Sequence, residues 1–381
     1  MKICDVVLNS VWFDPRVRKQ IAEYIKQDDI DLVCVGWKCN KFDAEKVNEV
    51  PCKVVLADID ASLKGKKSNP LQKILRERAT NKAVCEAIIA QHPDVIHAND
   101  LNALIPAYMA ARKLKCRIIY DSHEIWVENF FTKKLNAYAK YLKAKERRLV
   151  RKIDKMVCVS HAAAEYFANE YKIATPMVIT NCSLMSEQVK GNVKNEGFEI
   201  LNHGQFYKGR GYDIMLEAAP AISEQHHEIK LAIRGFGAIE KQLRARASEL
   251  KCDNFIFYPP VHVKDLIASA TRSHVGVAIT EAICLNFKLS VSNKLFEYAS
   301  AGLPVIMSDI PEHRYLNEKY RFGVIIPENT PEALEKAIVK LYTDKEFYEE
   351  CRMGALKLSE EVNWETEFGK LIAFEREITN E

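Results

Sequence analysis

Three glycines and an arginine lie together in the segment 202–213, NHGQFYKGRGYD, between a predicted strand and a predicted helix. Gly204, Gly209 and Gly211 permit a tight turn and a close approach of the backbone to a ligand. Arg210 would lie at the N-terminus of the following helix, where free N–H groups already favour an anion. The segment therefore indicates either a phosphate site or an ordinary turn with a solvated arginine. It matches neither a Walker A motif nor a dinucleotide fingerprint.

Two further segments of the second half could take part in the same chemistry. Residues 234–237 (RGFG) again end a predicted strand, and two such turns in one sheet are more suggestive than one. Ser292 or Asn293 can cap a helix whose first turn carries Lys294 and Glu297. These two charged residues share a helix face. They form either a surface ion pair or a pair that binds a phosphate and ribose hydroxyls.

Histidines and carboxylates follow two predicted strands of the first half, in the segments 97–100 (HAND) and 121–124 (DSHE). Such groups at strand ends are candidates for proton transfer or hydroxyl binding. The candidates are His97, Asp100, His123 and Glu124. The loop 9–16 precedes the first predicted helix, and its Asp14-Pro15 pair is also an ordinary helix start.

No metal site is expected from the sequence. Asp58 and Asp60 have the DxD spacing that can hold a divalent metal, but two aspartates so spaced are common by chance. No cluster of His, Cys, Asp or Glu has the spacing of metal ligands, and a nucleophile elbow is absent.

Basic residues are concentrated in 133–155, where ten Lys and Arg face two acids and apolar residues recur at helical spacing. A basic amphipathic helix can lie on an anionic membrane surface, although a solvated helix face is the commoner explanation. A second basic stretch runs from Lys64 to Lys82. The whole chain has 55 Lys and Arg against 52 Asp and Glu, which argues against a nucleic-acid binder.

The 381 residues are enough for two domains at roughly 100–200 residues each. No apolar run is long enough to cross a membrane, and the N-terminus does not have the pattern of a signal peptide. The eleven cysteines are dispersed without any CxxC, which is typical of reduced thiols and predicts a cytoplasmic protein.

Short β-branched runs alternate with amphipathic stretches, which predicts βαβ units and mostly parallel sheets. The predicted strands lie near 2–8, 31–36, 52–56, 94–98, 117–121, 155–160, 177–180, 198–203, 229–234, 254–258, 275–280, 304–308 and 323–326. The polar stretch 186–197 is a candidate linker. We therefore expect an α/β chain of two doubly wound, Rossmann-like domains, 1–185 and 198–364, facing a central cleft at the carboxyl ends of their strands. The last helix, about 365–381, is expected to pack back on the first domain.

These motifs together resemble the GT-B glycosyltransferases, specifically glycosyltransferase family four, whose members are retaining nucleotide-sugar transferases. The strongest match is N-x7-KLFEY-x2-AGLPV, here Asn286 to Val305, followed by the glycine–arginine turn at 204–211. Shorter pieces occur in family order: DPRV at 14–17, HAND at 97–100, YDSHE at 120–124, VCVS at 157–160 and ITNC at 179–182. The resemblance covers nearly the whole chain.

The resemblance implies a donor site in the second domain. Arg210 and Lys294 would hold the pyrophosphate and take part in catalysis, Glu297 would bind the ribose, and Val261 would meet the base through its backbone. The other implied donor residues are Gly204, Gln205, Gly209, Gly211, Gly235, Phe236, Gly237, Asn286, Phe287 and Leu295. Two departures from many relatives are Gln205 in place of Arg and Leu289 in place of Glu.

For the first domain, the resemblance implies that Asp100 and His123 take part in catalysis. The acceptor side would be shaped by Phe13, Asp14, Arg16, His97 and Glu124. The implied acceptor is a hydroxyl of a glycan or lipid-linked glycan, at the inner face of the membrane. No metal and no cofactor are implied, because basic side chains and helix N-termini would carry the phosphate charge. Two alternatives stay open: a nucleotide-sugar 2-epimerase of the same fold and a non-catalytic nucleotide-sugar-binding protein.

Overall fold

The computed structural model describes residues 1–9, 11, 14–37, 47–57, 70–129, 136–185 and 193–380. The chain forms two compact units. The first comprises Met1–Ile179 and the C-terminal segment from Glu367, and the second comprises Thr180–Thr366.

Within the described residues, the first unit contains a seven-stranded parallel sheet with the order β3-β2-β1-β4-β5-β6-β7. Its strands are β1 (Lys2–Val7), β2 (Asp31–Trp37), β3 (Lys53–Ala57), β4 (Val95–Asn99), β5 (Arg117–Ser122), β6 (Lys155–Cys158) and β7 (Met177–Val178). The connecting helices are α1 (Pro15–Tyr24), α2 (Pro70–Ile89), α3 (Asp100–Leu114), α4 (Asn136–Leu149) and α5 (His161–Tyr171).

The second unit contains a six-stranded parallel sheet with the order β10-β9-β8-β11-β12-β13, counted over the residues that the structure describes. Its strands are β8 (Phe198–Gln205), β9 (Ile229–Phe236), β10 (Phe255–Tyr258), β11 (Val275–Ala278), β12 (Val305–Ser308) and β13 (Gly323–Ile326). Its helices are α6 (Tyr212–Gln225), α7 (Glu240–Leu250), α8 (Leu266–Ala270), α9 (Leu285–Leu289), α10 (Asn293–Ser300), α11 (Pro311–Tyr320), α12 (Pro331–Thr343) and α13 (Lys345–Glu361). The last helix, α14 (Trp364–Asn380), begins in this unit and continues into the first.

The predicted fold class is confirmed, because both sheets are parallel and doubly wound. The strand order reverses between β1 and β4 in one unit and between β8 and β11 in the other, and ligands of such sheets bind at this switch point. Most strand residues are apolar because helices cover both faces of a parallel sheet. In β1, for example, every residue from Ile3 to Val7 is buried.

The units divide earlier than the predicted linker. The division at Ile179 assigns residues 180–185 to the second unit, in which the backbone N–H of Trp364 donates to the carbonyl of Ser183 (2.9 Å). The backbone N–H of Met185 donates to the Glu365 carboxylate (2.8 Å). The predicted linker begins at 186, and its residues 186–192 lie outside the described residues.

Candidate functional site

The glycine–arginine turn lies between β8 and α6, as the sequence predicts. Gly211 is the N-cap of α6 with a φ of 73°, and a Cβ there would stand 2.5 Å from the Cβ of Ile279. Only glycine fits this close left-handed position. The side-chain amide of Asn202 donates to the carbonyl of Arg210 (3.1 Å), which fixes the turn just before the helix begins.

The guanidinium of Arg210 lies over the ring of Phe287 in α9, with its Cζ 4.7 Å from the ring centroid. Burial lowers the pKa of Arg210 from its ordinary value. An arginine nevertheless stays charged at neutral pH. Among the described residues, no carboxylate lies within ion-pair distance of this guanidinium. Arg210 is therefore a partly buried cation stacked on an aromatic ring.

Lys294 supplies a second cation from the first turn of α10. Its Nζ donates to Oδ1 of Asn202 (2.6 Å) and lies 3.3 Å from the hydroxyl of Tyr212. Burial, and then repulsion by Arg210, lower the pKa of Lys294 to about 7, against the attraction of Glu297. A Cβ at Gly204 would stand 3.4 Å from Cε of this lysine. The two predicted phosphate ligands thus share one end of the sheet.

Glu297 belongs to the same helix and is held by a residue that the sequence analysis missed. Its Oε2 lies 2.7 Å from Nε2 of His203, whose side chain is fully buried, whereas 25% of the Glu297 side chain is exposed. His203 stacks on the ring of Tyr298, with 4.4 Å between the centroids. A polar Asn202-His203 pair at the end of an apolar strand is the sequence signal that could have revealed it.

The remaining predicted donor residues occupy different environments. Gly235 in β9 lies directly beside Gly204 in β8, and a Cβ on Gly235 would overlap the Gly204 carbonyl. Next to it, 56% of Phe236 is exposed. Asn286 and Leu295 are buried, so Leu295 belongs to the apolar core of the second unit. Gln205, Gly237 and Val261 lie at or after the ends of β8, β9 and β10, and Gly209 is buried in the turn.

In the first unit, Arg16 and His97 belong to a buried polar network at the ends of the strands. Arg16 forms a bidentate pair with Asp121 of β5, with N···O distances of 2.9 and 3.1 Å. His97 lies 3.3 Å from Asp121 and 2.9 Å from Glu375 of α14. The hydroxyl of Tyr24 also donates to Glu375 (2.6 Å). Burial alone would lower the pKa of His97, but Asp121 and Glu375 raise it above its ordinary value.

His123 lies nearer the surface of this edge, and 14% of its side chain is exposed. Its Nδ1 lies 3.6 Å from Asp100 and 3.8 Å from Asp14, and its Nε2 lies 3.0 Å from Oδ1 of Asn99. Because the Asn99 amide nitrogen donates to Asp5 and to the Val6 carbonyl, its oxygen faces His123. Burial lowers the pKa of His123, but Asp100 and Asp121 outweigh it and raise the pKa.

Two acceptor-side acids also have local structural partners. The Asp14 side chain caps α1 by accepting from the backbone N–H of Arg16 (3.0 Å) and Val17 (3.2 Å). Glu124 accepts from the side-chain amide of Asn129 (2.6 Å). The structure thus brings Asp14, Asp100 and His123 together and places Arg16 and His97 beneath them in the interior of the unit.

Several sequence predictions fall on residues that the structure does not describe, namely Phe13, Asp58, Asp60 and the start of the basic segment at 133–135. In the described ranges, no group of three or more His, Cys, Asp or Glu could hold a metal ion. The cysteines of these ranges are free thiols. No helix among the residues searched is long and apolar enough to cross a membrane.

The basic segment forms the helix α4, which ends at Leu149 and not at 155 as predicted, because β6 begins at Lys155. Tyr138 and Tyr141 are exposed and stack at 6.2 Å between centroids. Lys143 and Lys145 pair with acids, Glu128 at 3.1 Å and Glu77 at 2.7 Å. Other basic residues of the helix face solvent: Lys140, Arg147 and Arg148.

Two family models match most of the chain. The model described as Glycosyltransferase Family 4 matches residues 16–182, and the model described as Glycosyl transferases group 1 matches residues 185–357. A curated relative, sucrose-phosphate synthase 1 of Arabidopsis thaliana, is 29% identical over 117 residues. That match covers 29% of this chain and 10% of the relative, so the chain spans about a tenth of the curated relative it matches.

Solved structures share the fold over the whole chain. Sucrose-phosphate synthase from Thermosynechococcus elongatus has a TM-score of 0.78 at 14% identity and covers 99% of both chains. Anabaena Alr3699/HepE, solved in complex with UDP, has a TM-score of 0.77 at 12% identity and covers 99% of this chain and 100% of its own. At these identities the likeness concerns the fold alone.

Proposed function

Because the chain belongs to the GT-B glycosyltransferases of the group 1 and family 4 type, we propose that it moves a sugar from a nucleotide-sugar donor to a hydroxyl acceptor with retention at the anomeric carbon. The observation that carries this proposal is the pair of cations at the carboxyl end of the second sheet, Arg210 and Lys294. Both are partly buried, and Lys294 has a pKa lowered to about 7 by burial and by Arg210.

The donor pyrophosphate accounts for this arrangement of charges. Two neighbouring cations repel each other, and burial increases the cost of keeping both charged. An anion bound between them would remove that cost. Backbone N–H groups of the turn before α6 would donate further hydrogen bonds to the anion. The crystallised Anabaena protein holds UDP. That complex supports a nucleoside diphosphate as the donor's anionic part here.

The rest of the donor would be held by neighbouring elements of the second unit. Glu297, partly exposed on α10, would accept hydrogen bonds from the ribose. The Gly235–Gly237 turn and the backbone at Val261 would border the nucleotide and its base. Phe287 and Asn286 of α9 would approach the phosphates or the sugar, and Phe287 already supports Arg210.

The proposed reaction needs no enzyme nucleophile and no metal. The acceptor oxygen forms its bond to the anomeric carbon on the face that the diphosphate leaves, and a departing phosphate oxygen takes the acceptor proton. Arg210 and Lys294 stabilise the negative charge that develops on the leaving diphosphate. Asp14, Asp100, His123 and Glu124 of the first unit would bind and orient the acceptor.

A thermal-shift screen in EDTA against UDP-, GDP- and ADP-sugars tests the donor. Ligand at 100 times its Kd should stabilise the protein by about 2.7 kcal/mol. The nucleotide-sugar that binds is then incubated with glycan acceptors, and proton NMR of the first product formed reports its anomeric configuration. An inverted product contradicts retention, and loss of activity in EDTA contradicts metal independence. Turnover of the donor to an epimer without acceptor would point to the 2-epimerase.

We also propose that the acceptor is a glycan or lipid-linked glycan met at the cytoplasmic face of an anionic membrane. The exposed pair Tyr138 and Tyr141, with Lys140, Arg147 and Arg148 on the same helix, supports a peripheral contact. Each such cation contributes about 1 kcal/mol near an anionic surface.

Co-sedimentation with vesicles of phosphatidylserine and phosphatidylcholine tests this contact. Reversal of Lys140, Arg147 and Arg148 to Glu should abolish binding, and so should high salt. Reversal of the exposed Lys241, Lys251 and Lys336 of the second unit is the matched control. Salt-insensitive binding, or equal loss in both triple variants, counts against α4 as the membrane surface.

A further inference from the structure

His203 connects the donor edge of the second sheet to the core of the unit. It lies in the carboxyl half of β8, one residue before Gly204. Its side chain is fully buried, so it cannot touch a ligand, yet its Nε2 lies 2.7 Å from Oε2 of the partly exposed Glu297. Any influence of His203 on a ligand must therefore pass through the carboxylate of Glu297.

The hydrogen-bond pattern assigns the proton on the imidazole. An ionised carboxylate can only accept, so Nε2 of His203 must carry the hydrogen that bonds to Glu297. The other ring nitrogen, Nδ1, is buried and has no hydrogen-bond partner in the described part of the chain. A bare nitrogen is less costly at such a position than an N–H group without a partner. Nε2 is thus a donor aimed at one carboxylate oxygen.

Two tyrosines fix this ring and its backbone. The ring of Tyr298 in α10 stacks on the imidazole at a centroid distance of 4.4 Å and an angle of 25°. The Tyr298 hydroxyl accepts from the backbone N–H of His203 (2.9 Å), and the Tyr212 hydroxyl of α6 donates to its carbonyl (3.2 Å). Elements β8, α6 and α10 therefore all determine where Nε2 points.

We propose that His203 is a positioning residue that fixes the Glu297 carboxylate for the ribose hydroxyls of the donor, so that the site selects ribonucleotides over deoxyribonucleotides. This inference rests on the proposed nucleotide-sugar donor. A glutamate on a helix surface loses rotamer freedom when it binds a ligand, and that loss weakens binding. A buried donor that already holds Oε2 removes part of this cost before the nucleotide arrives.

The test compares nucleotide affinities in variants of the full chain by isothermal titration calorimetry. The tightest ligand among UDP, GDP and ADP is compared with its 2′-deoxy and 3′-deoxy forms. The unchanged chain should prefer the ribonucleotide to at least one deoxy form by roughly tenfold or more, the scale of a hydrogen bond to a charged group. His203→Phe keeps a ring against Tyr298 but removes the donor, and should reduce this preference to below about threefold.

Two further variants separate positioning from folding. His203→Gln can still donate an N–H toward Glu297 and should restore most of the preference, whereas His203→Asn is too short to reach it and should not. His227→Phe, at an exposed position beyond the other end of the sheet, is the matched control and should leave the preference unchanged.

Each outcome bears on the proposal. A preserved ribonucleotide preference in both His203→Phe and His203→Asn overturns the role of His203 and leaves the proposed donor intact. An unchanged chain that binds the nucleotide without preferring the ribose form overturns the inference and the role of Glu297. Binding of none of the three nucleotides overturns the inference together with the proposed function.

Discussion

The carboxyl ends of the two sheets carry similar residue types but differ in the partners of their cations. In the first unit every described cation of the site faces a carboxylate: Arg16 pairs with Asp121, His97 lies between Asp121 and Glu375, and His123 lies beside Asp100 and Asp14. In the second unit, Arg210 and Lys294 face an aromatic ring, an amide and a hydroxyl.

The difference teaches what each edge can bind. A network that already balances its charges gains little from a free ion, and it holds strands and helices together. Its partly exposed acids can accept hydrogen bonds from hydroxyls of a neutral acceptor. In contrast, no described carboxylate lies within ion-pair distance of Arg210 or Lys294. Two such cations, already partly desolvated, can bind an anion strongly. Under the proposed function, the first edge would therefore bind the acceptor and the second would bind the diphosphate.

The largest expected effect is on the stability of the first unit. Asp121→Asn keeps the shape of the side chain but leaves the Arg16 guanidinium buried without its counter-ion. The free energy of unfolding should fall by about 3–5 kcal/mol. Urea denaturation followed by circular dichroism measures it. Arg246→Ala, which removes an exposed pair with Glu217, is the control and should cost less than about 1 kcal/mol. Equal losses in the two variants would contradict a structural role for the buried pair.

The second effect is on activity. Arg210→Ala should lower kcat/KM by about two orders of magnitude, because in the proposed reaction Arg210 stabilises the charge on the leaving diphosphate. Arg210→Lys keeps the charge but loses the planar stacking on Phe287, so its kcat/KM should lie between those of the wild-type protein and Arg210→Ala. Steady-state kinetics measures both, with Arg246→Ala as the control. A loss below about threefold in Arg210→Ala would remove Arg210 from the reaction.

The fold and the main site residues follow directly from sequence patterns. The glycine spacing at 204–211 and the strand before it place Arg210 at the start of α6, because a strand, a tight turn and a helix leave few alternatives. Ser292 and the helix after it place Lys294 in a first turn, where the structure has it. Local patterns therefore predict which secondary-structure element carries a side chain and at which position.

Local patterns do not predict which side chains meet. Arg16 and its partner Asp121 are 105 residues apart, and His97 and its partner Glu375 are 278 residues apart. These contacts depend on sheet order and on the return of α14. His203 is one residue from a predicted site residue, but its partner Glu297 lies 94 residues away. That no described carboxylate lies within ion-pair distance of Lys294 is likewise a tertiary property. The chemistry of the site was thus predictable only as a set of candidate groups.

One substitution can give the second edge a carboxylate partner for its lysine and so make it more like the first edge. Asn202→Asp places a carboxylate at the position of the amide oxygen 2.6 Å from the Lys294 ammonium, and so gives the second edge an internal counter-ion. Donor affinity should fall on the order of tenfold, since the diphosphate must displace an existing ion pair. Calorimetric titration with the donor measures the change. Asn254 is a buried asparagine at the opposite, amino end of β10, and its amide likewise donates to a backbone carbonyl, so Asn254→Asp controls for burying a new acid. Unchanged affinity in Asn202→Asp would mean that Lys294 does not bind the donor.

Near neutral pH the smallest effect is the titration of Lys294, which has no carboxylate within ion-pair distance among the described residues. The Lys294 pKa is lowered to about 7 by burial and by Arg210. A diphosphate bound beside it, as proposed, would raise that pKa. Donor affinity should therefore be constant below about pH 7 and fall by at most about tenfold per unit above it, as the free protein loses the proton that the complex retains. Calorimetry between about pH 6 and pH 9 in buffers of different ionisation enthalpy measures the affinity and the proton uptake together. Lys294→Arg keeps a permanent charge and should remove both the pH dependence of the affinity and the proton uptake, because arginine does not titrate in this range. A wild-type profile that stays flat to pH 9 would show that Lys294 is fully charged before the donor binds, and the two edges would then differ in partners but not in protonation.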